Sequence, residues 1–372
     1  MNVVEYTKEL VSHPSVSVQS NAAISDHIQQ TLEDRGWQTE RVDYHDAEGV
    51  LKVNVLGKKG PGEGGVAFFG HTDTVPAENW AFDSPFQPFE KDGRLYGRGA
   101  CDMKGPVACA LAAAERFDAA SLRRPIYLIC TADEEVHYIG AKVVAERSRM
   151  FQEEITKAHG IICEPTRLEV VYAHKGTVGI RAVAHGRAAH SATDAGLNAN
   201  LKIIPFLWEM KKIHDELQSD PAWRNEEFDP PTPGWNIGVN DHNPVLNITA
   251  PESTATIYFR PMPGQDNQRV LDRVRRAAGE NDLDLEIRQT GEPPYTPPDS
   301  PIVREVLEAT GRITPRTVSY GTDAVVFGRH MPLVVFGPGD IAQAHTIDEW
   351  IELEQLEQGV ELNCRLIERF CL

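Results

Sequence analysis

The chain has 372 residues, more than one hydrophobic core comfortably fills, so we expect two domains. Its 41% hydrophobic and 25% charged residues are those of an ordinary globular protein, and 55 acidic against 37 basic residues give a formal charge of −18. That charge argues against nucleic acid and anionic membranes as partners, because both require a basic surface.

The N-terminal segment and the cysteines bear on the compartment. Met1 to His13 carries charges on an amphipathic pattern and lacks the apolar core of a signal peptide. No stretch approaches the roughly 18 apolar residues that a membrane span requires. The six cysteines have neither CxxC spacing nor a disulfide-like pattern, which is typical of a reducing compartment. We therefore expect a cytoplasmic protein.

The first elements follow from hydrophobic periodicity. They are helices over Val4–Val11 and Ser20–Arg35, and strands of a small sheet over Trp37–Val42 and Leu51–Leu56.

Four short apolar runs are predicted as buried strands, and polar residues follow each of them. These are Gly65–Gly70 before His71 and Asp73, Pro125–Thr131 before Glu134 and Glu135, Gly160–Cys163 before Glu164, and Pro332–Phe336 with His345 farther on. Apolar strands alternating with helices, one of them over Gly140–Met150, predict an α/β domain with a mostly parallel sheet and helices on both faces. In such sheets, sites form at the carboxyl ends of the strands, so we expect these polar residues to converge.

A glycine-rich turn, Gly97 to Pro106, carries Asp102 into the start of a helix. Val107 to Ala114 is wholly apolar, so that helix is predicted to be buried and to hold the turn in place. Pro106 suits the first helical position. Asp102 is therefore a candidate metal ligand.

Between residues 177 and 291 the pattern changes to strand-helix-strand-strand-helix-strand, which predicts an inserted ferredoxin-like α/β sandwich. Its second strand is expected over Pro244–Thr249, after a long loop over Asp220–His242. An exposed edge of this sheet is expected to pair with a second subunit. Residues 1–176 and 292–372 then form the catalytic domain.

Two imidazoles and three carboxylates, those of His71, Asp102, Glu135, Glu164 and His345, form a mixed N/O ligand set that suits zinc, cobalt or manganese. Two metals that share Asp102 would use all five. Asp73 is placed to turn its carboxylate back to the second ring nitrogen of His71. Glu134 is the candidate general base. Taken singly, each residue also fits a surface or turn position, and it is their convergence that favours a site.

Four motifs resemble, in order, those of the dinuclear zinc amidohydrolases and peptidases, a family that includes acetylornithine deacetylase, succinyl-diaminopimelate desuccinylase, aminoacylase and glutamate carboxypeptidase. They are His71-Thr72-Asp73, Gly99-Ala100-Cys101-Asp102-Met103-Lys104-Gly105, Asp133-Glu134-Glu135 and Cys163-Glu164-Pro165-Thr166. The resemblance covers nearly the whole chain, and the inserted domain is similar to the family's lid, which also serves for dimerisation.

The resemblance implies roles for particular residues. Asp102 would bridge two metals, with His71 and Glu164 on one ion and Glu135 and His345 on the other. Glu134 would be the general acid and base. In the lid, His190 would reach the partner subunit's site and stabilise the oxyanion, and Arg260, with Asn247 as a weaker candidate, would hold a substrate carboxylate.

Within the family, Gly337 to His345 and Ala173-His174-Lys175-Gly176 resemble acetylornithine deacetylases, whereas Tyr320-Gly321-Thr322-Asp323 departs from their form. We therefore expect a homodimeric hydrolase that removes the acyl group from a small N-acyl amino acid, N-acetylornithine first. A desuccinylase or a dipeptidase or carboxypeptidase of the same family is the alternative enzyme. A metal-dependent binding protein is the alternative outside enzymes, although binding alone has no use for Glu134.

Overall fold

The computed structural model describes residues 2–372, and the chain divides into two compact units. The first comprises Met1–Ala173, Tyr295–Arg316 and Thr322–Leu372, and the second comprises His174–Pro294 and Thr317–Gly321. The helices are α1 (Val3–Ser12), α2 (Ala22–Glu33), α3 (Gly105–Glu115), α4 (Ile139–Arg147), α5 (Arg149–Glu153), α6 (Ala199–Ser219), α7 (Asn267–Glu280), α8 (Pro301–Thr310), α9 (Ala324–Phe327) and α10 (Leu353–Cys371). The strands are β1 (Gln38–His45), β2 (Leu51–Lys59), β3 (Val66–His71), β4 (Phe89–Lys91), β5 (Arg94–Tyr96), β6 (Ile126–Thr131), β7 (His159–Ile162), β8 (Val171–His174), β9 (Val178–His185), β10 (Gly234–Asn240), β11 (Glu252–Arg260), β12 (Asp284–Gln289), β13 (Arg316–Val318), β14 (Leu333–Val335) and β15 (Trp350–Glu352).

The first unit is built on an eight-stranded sheet in the order β1-β2-β6-β3-β7-β14-β8-β13. Its centre, β6-β3-β7-β14, is parallel, as the sequence predicts, and β3 and β6 are buried along their whole lengths. The prediction that the first two strands belong to a small sheet is wrong. β2 pairs antiparallel with β6 and is buried on both faces, so β1 and β2 extend the main sheet.

Helices cover both faces of this sheet. A side chain at Gly57 of β2 would meet Leu32 of α2, whereas Asn54 of the same strand lies against Gly140 of α4. Residues 54 and 57 point to opposite faces, because successive side chains alternate along a strand. The helix predicted over Gly140–Met150 is interrupted, since Ser148 takes an extended conformation and caps α5 through its hydroxyl group.

α3 is buried on every side except at its last residue, as its all-apolar sequence predicts. The glycine-rich turn that precedes it is therefore attached to the core of the first unit. On the N-terminal side of the turn, β5 ends at Tyr96, directly before Gly97. This strand is the middle one of a three-stranded sheet in the order β15-β5-β4.

The inserted segment leaves and rejoins the first unit at one place. Ala173 and Tyr295, which stand at its two ends, form an antiparallel backbone bridge within the first unit.

The second unit has an antiparallel sheet in the order β10-β11-β9-β12, packed against α6 and α7. This order and the element sequence are those of a ferredoxin-like sandwich. One strand was misplaced by the sequence: β10 runs over Gly234–Asn240, and residues 244–249 are mostly exposed. The strand forms over Gly234–Asn240 because Trp235 packs into the core of the second unit against Phe259. Among the described residues, no helix combines the length and apolar character needed to cross a bilayer.

Candidate active site

Polar side chains from several segments meet beyond the carboxyl ends of the central strands of the first unit. His71 ends β3, Asp102 lies in the turn before α3, Glu134 and Glu135 follow β6, Glu164 follows β7, and His345 lies ten residues after β14. The side chain of His345 is 52% exposed, whereas those of the other five are less than a tenth exposed. The cluster is thus a buried group of carboxylates around His71, with His345 on its exposed side.

The carboxylate of Asp102 lies between the two imidazoles. Its Oδ1 is 3.0 Å from Nε2 of His71, and its Oδ2 is 3.3 Å from Nε2 of His345. Glu135 Oε1 lies 3.0 Å from Nε2 of His345, and Glu164 Oε1 lies 3.9 Å from Nε2 of His71. The donors therefore fall into two groups, each with one imidazole and one glutamate, and Asp102 is common to both.

Burial and mutual repulsion set the charge state of these carboxylates. Burial, together with neighbouring carboxylates, raises the pKa of Glu134, Glu135 and Glu164. Burial alone would also raise the pKa of Asp102, but its hydrogen bonds with His345 and His71 lower it overall. So many carboxylates buried close together require positive charge, and oxygen and imidazole donors suit a zinc-like divalent cation. Ligand atoms of His71, Asp102 and Glu135 lie within 4.8 Å of one another, so the residues fit a metal ion.

The orientation of His71 is fixed by the backbone. Its Nδ1 is 2.9 Å from the carbonyl oxygen of Asp73, whereas the Asp73 carboxylate that the sequence suggested as its partner is 3.7 Å away. A carbonyl can only accept, so Nδ1 carries a proton, and Nε2 is the ring nitrogen that faces Asp102 and would be available to a metal ion.

The Asp73 carboxylate supports the two glutamates instead. It accepts hydrogen bonds from the backbone N–H groups of Glu134, at 3.1 Å, and Glu135, at 3.3 Å, and from the hydroxyl of Ser17 at 2.8 Å. Glu134 Oε2 then lies 4.0 Å from Nε2 of His71, next to the space shared by the other carboxylates. A buried glutamate with a raised pKa in that position is suited to take up and return a proton.

Several residues that support the site were not predicted. Asp133, which precedes Glu134, has a positive φ of 56° and a buried carboxylate, with Lys52 Nζ at 2.8 Å and the hydroxyl of Tyr44 at 2.6 Å. Asp323 is also buried and accepts a hydrogen bond from Thr131 at 2.7 Å, and burial raises its pKa to about 6. Both residues stand in motifs quoted from the sequence, but no role was predicted for them, because their partners are distant along the chain.

Glu349 is a further unpredicted residue beside the site. Its carboxylate accepts hydrogen bonds from the backbone N–H groups of Gly99, Cys101 and Asp102, at 2.9–3.0 Å. In the sequence Glu349 is the second of two adjacent acidic residues shortly after His345, a pattern that suggests no role by itself.

The remaining candidates belong to the second unit and so are not among the residues that meet in the first. His190 is exposed, and its Nδ1 accepts the N–H of Ala192. Asn247 is exposed in the neighbouring segment, and its backbone carbonyl accepts the N–H of Ser191 at 2.9 Å. Arg260 is half-buried at the end of β11, with its guanidinium 4.8 Å from the centre of the Tyr258 ring.

The family follows from comparison with known proteins. A family model described as peptidase family M20/M25/M40 matches residues 67–369. The chain belongs to peptidase family M20. This M20 chain is 35% identical to an acetylornithine deacetylase from Myxococcus xanthus, over 98% of its own length and 96% of the relative's. Family and relative together make it a hydrolytic enzyme, of a family that depends on metal ions.

Solved structures share the M20 fold along the whole chain. An M20 metallo-carboxypeptidase, Sso-CP2 from Sulfolobus solfataricus, has a TM-score of 0.80 at 15% identity, covering 100% of this chain and 99% of that one. The YxeP protein of Bacillus subtilis, a dinuclear metal-binding M20 peptidase, has a TM-score of 0.67 at 16% identity, covering 98% and 96%. At such identities the likeness concerns the fold alone.

Proposed function

We propose that this enzyme hydrolyses the amide bond of an N-acyl amino acid, with N-acetylornithine as its first substrate, at two metal ions held by His71, Asp102, Glu135, Glu164 and His345. The observation that carries the proposal is the Asp102 carboxylate, which lies between two imidazoles with one oxygen facing each. A donor set of this kind favours zinc, with cobalt and manganese as alternatives. Deacetylation of N-acetylornithine would place the enzyme in arginine biosynthesis.

Metal ions at these residues would supply a Lewis acid that polarises the amide carbonyl and lowers the pKa of a water molecule. Glu134 is assigned as the general base and acid: its carboxylate would take a proton from the attacking water and return it to the nitrogen of the departing amine. Asp73 supports this role, because it fixes the backbone of Glu134 through the hydrogen bond to its N–H group. His71 keeps its proton on Nδ1 and stays oriented as a ligand through Nε2.

The residues assigned to the rest of the substrate belong to the second unit. We assign the substrate carboxylate to Arg260, whose fork-shaped guanidinium suits bidentate recognition, with Asn247 as an auxiliary donor. His190 is assigned to the oxyanion, which needs a donor of this kind, and is supplied by the second copy in a homodimer. Its exposed side chain, on a segment anchored by backbone hydrogen bonds, is compatible with a role outside its own unit.

An apolar surface on the second unit supports the homodimer. Leu201, Ile204 and Trp208 lie on one face of α6 and are 68%, 53% and 61% exposed. β10 is an edge strand of the adjoining sheet and exposes Val239. Exposed apolar residues next to an unpaired strand edge are the usual features of a subunit interface.

The substrate is tested with zinc- or cobalt-loaded protein, by following release of free amine from a panel of substrates. The panel holds N-acetylornithine, N-succinyl-diaminopimelate, other N-acetyl amino acids and dipeptides. We expect the highest kcat/KM with N-acetylornithine. Preference for another panel member would keep the mechanism and change the substrate, and no turnover with two metals bound would refute the proposal.

The assignment of Glu134 is tested by two neighbouring substitutions. Glu134→Gln is expected to keep both metals and to lose at least about 100-fold in kcat, since general base catalysis contributes that much or more. Glu135→Gln is the matched control, because it is expected to lose affinity for one ion. A Glu134→Gln enzyme with parental kcat would remove Glu134 from the mechanism.

The dimer is tested by sedimentation of Trp208→Glu, which places a charge in the apolar face of α6. We expect monomers, with unchanged metal binding and reduced turnover. Ile313→Glu is the control, because Ile313 is 91% exposed but belongs to the first unit. A Trp208→Glu dimer, or a parent that is monomeric and fully active, would contradict this interface.

A further inference from the structure

We infer that the buried pair of Arg98 and Glu349 is a positioning element that fixes the loop of Asp102 against the loop of His345, and thereby sets how tightly each metal ion is held. The inference rests on the proposed function, because it assumes that the ions bind where the five ligands meet. Neither residue is itself among the proposed ligands.

Glu349 organises the Asp102 loop through both carboxylate oxygens. Oε1 accepts the N–H groups of Cys101, at 2.9 Å, and Asp102, at 3.0 Å. Oε2 accepts the N–H group of Gly99 at 3.0 Å and a guanidinium N–H of Arg98 at 2.6 Å. The side chain is 1% exposed, so these donors would be buried without partners if the carboxylate were removed. The backbone of the bridging ligand is therefore held by a residue almost 250 positions away.

Arg98 connects the same carboxylate to two other loops. Its Nη2 donates to the carbonyl of Thr346, which follows His345, at 3.0 Å, and to the carbonyl of Pro76 at 3.3 Å. Its guanidinium also lies 5.5 Å from the ring centre of Trp80. Only a planar fork with several N–H groups can make these contacts together, and a lysine cannot.

The backbone around Glu349 adds to this connection. Its carbonyl accepts the N–H of Gly97 at 3.0 Å, and Trp350 pairs with Tyr96 where β15 meets β5. The chain segment after His345 is thus bound to the segment before Asp102 by main chain and side chain alike. The 3.3 Å separation of His345 Nε2 from Asp102 Oδ2 depends on both loops keeping this register.

The two members of the pair should affect the ions differently. Loss of Glu349 disturbs Asp102, which both ions share, so both affinities should fall. Arg98→Lys keeps a positive charge near Glu349 but loses the reach to the carbonyl of Thr346, so the ion on the His345 side should weaken more than the other. Outer contacts of metal ligands commonly change affinity by about 10–100-fold.

The test is titration of metal-free protein with Co²⁺, followed by calorimetry and by visible absorption, which reports the ligand geometry of each ion. We expect two ions per chain in the parent, at least about tenfold weaker binding of both in Glu349→Gln, and selective weakening of one ion in Arg98→Lys. Glu115→Gln is the control, because it removes the ion pair with Arg35 at the opposite end of α3 and should leave both affinities unchanged.

Parental affinities and spectra in both Glu349→Gln and Arg98→Lys would overturn the positioning role while leaving the metal site intact. A parent that binds no cobalt would overturn the metal site itself, and with it this inference. If Glu349→Gln does not fold, as judged by circular dichroism, Glu349→Asp gives the same comparison. It keeps the charge but shortens the reach, and parental affinity in that variant would likewise refute the role.

Discussion

Lys52 gives a sharp test of how the segment that carries Glu134, the proposed general base, is supported. The side chain is 1% exposed, and its Nζ lies 2.8 Å from the Asp133 carboxylate and donates to the backbone carbonyls of Ser17 and Gln19. Lys52→Met keeps the length and apolar stem but removes the charge. Asp133 would then be a buried carboxylate without its cation, and breaking a buried pair in this way costs about 3–5 kcal/mol.

The assay is thermal unfolding at neutral pH. In a protein unit of this size each kcal/mol lowers Tm by about 2–4 °C, so Lys52→Met should lower it by about 6–20 °C. Lys58→Met is the matched control on the same strand, because its ion pair with Glu154 is partly exposed and should cost less than about 1 kcal/mol. The double variant Lys52→Met/Asp133→Asn should recover part of the loss, since it no longer buries an unpaired charge. Equal Tm values for Lys52→Met and Lys58→Met would refute the reasoning.

Three further predictions concern specificity, pH and packing. Arg260→Lys should raise KM for acylated amino acids at least about tenfold with little change in kcat, because a lysine cannot form the bidentate contact, and an unchanged KM would contradict the assignment. Burial lowers the pKa of His174 from its ordinary value to about 4. The unfolded chain therefore binds a proton at a higher pH than the folded chain does. As the pH falls from about 6.5 to 4, the free energy of unfolding should drop by about 3 kcal/mol. His174→Asn, which keeps a donor for the carbonyl of Lys175, should flatten that dependence in urea titrations, and a parental slope would refute it. Gly140→Ala should destabilise the first unit by about 1–3 kcal/mol in calorimetry, because the new Cβ would lie 2.1 Å from the carbonyl oxygen of Ala132, and a parental Tm would contradict that contact.

The sequence predicted best where apolar strands end in polar residues. His71, Glu135 and Glu164 were located because a buried strand is a strong pattern and its end fixes where the next side chain lies. The contact of Asp73 with His71 is different from the predicted one. The backbone carbonyl of Asp73, and not its carboxylate, lies within hydrogen-bond distance of His71 Nδ1. Pattern alone does not distinguish these two acceptors.

Residues that act through distant partners were not predictable. Glu349 looks like an ordinary acidic residue until the fold places it under the N–H groups of Gly99 and Asp102. β10 was misplaced for a related reason: Val245 and Ile248 give residues 244–249 an apolar character, yet the pairing with β11 and the burial of Trp235 decide which segment forms the strand. Local periodicity does not contain that tertiary information.

The backbone bridge between Ala173 and Tyr295 has a consequence for folding. The chain between them, about 120 residues, would cost several kcal/mol of closure entropy if it stayed unfolded while the first unit formed, because that cost grows with the logarithm of loop length. An inserted unit that folds by itself brings its own ends together and removes most of this cost. The entropy cost of bringing the segments of Glu164 and His345 together is then that of a much shorter loop. The connectivity therefore favours an order in which the insertion forms before the segments that carry Glu164 and His345 are joined.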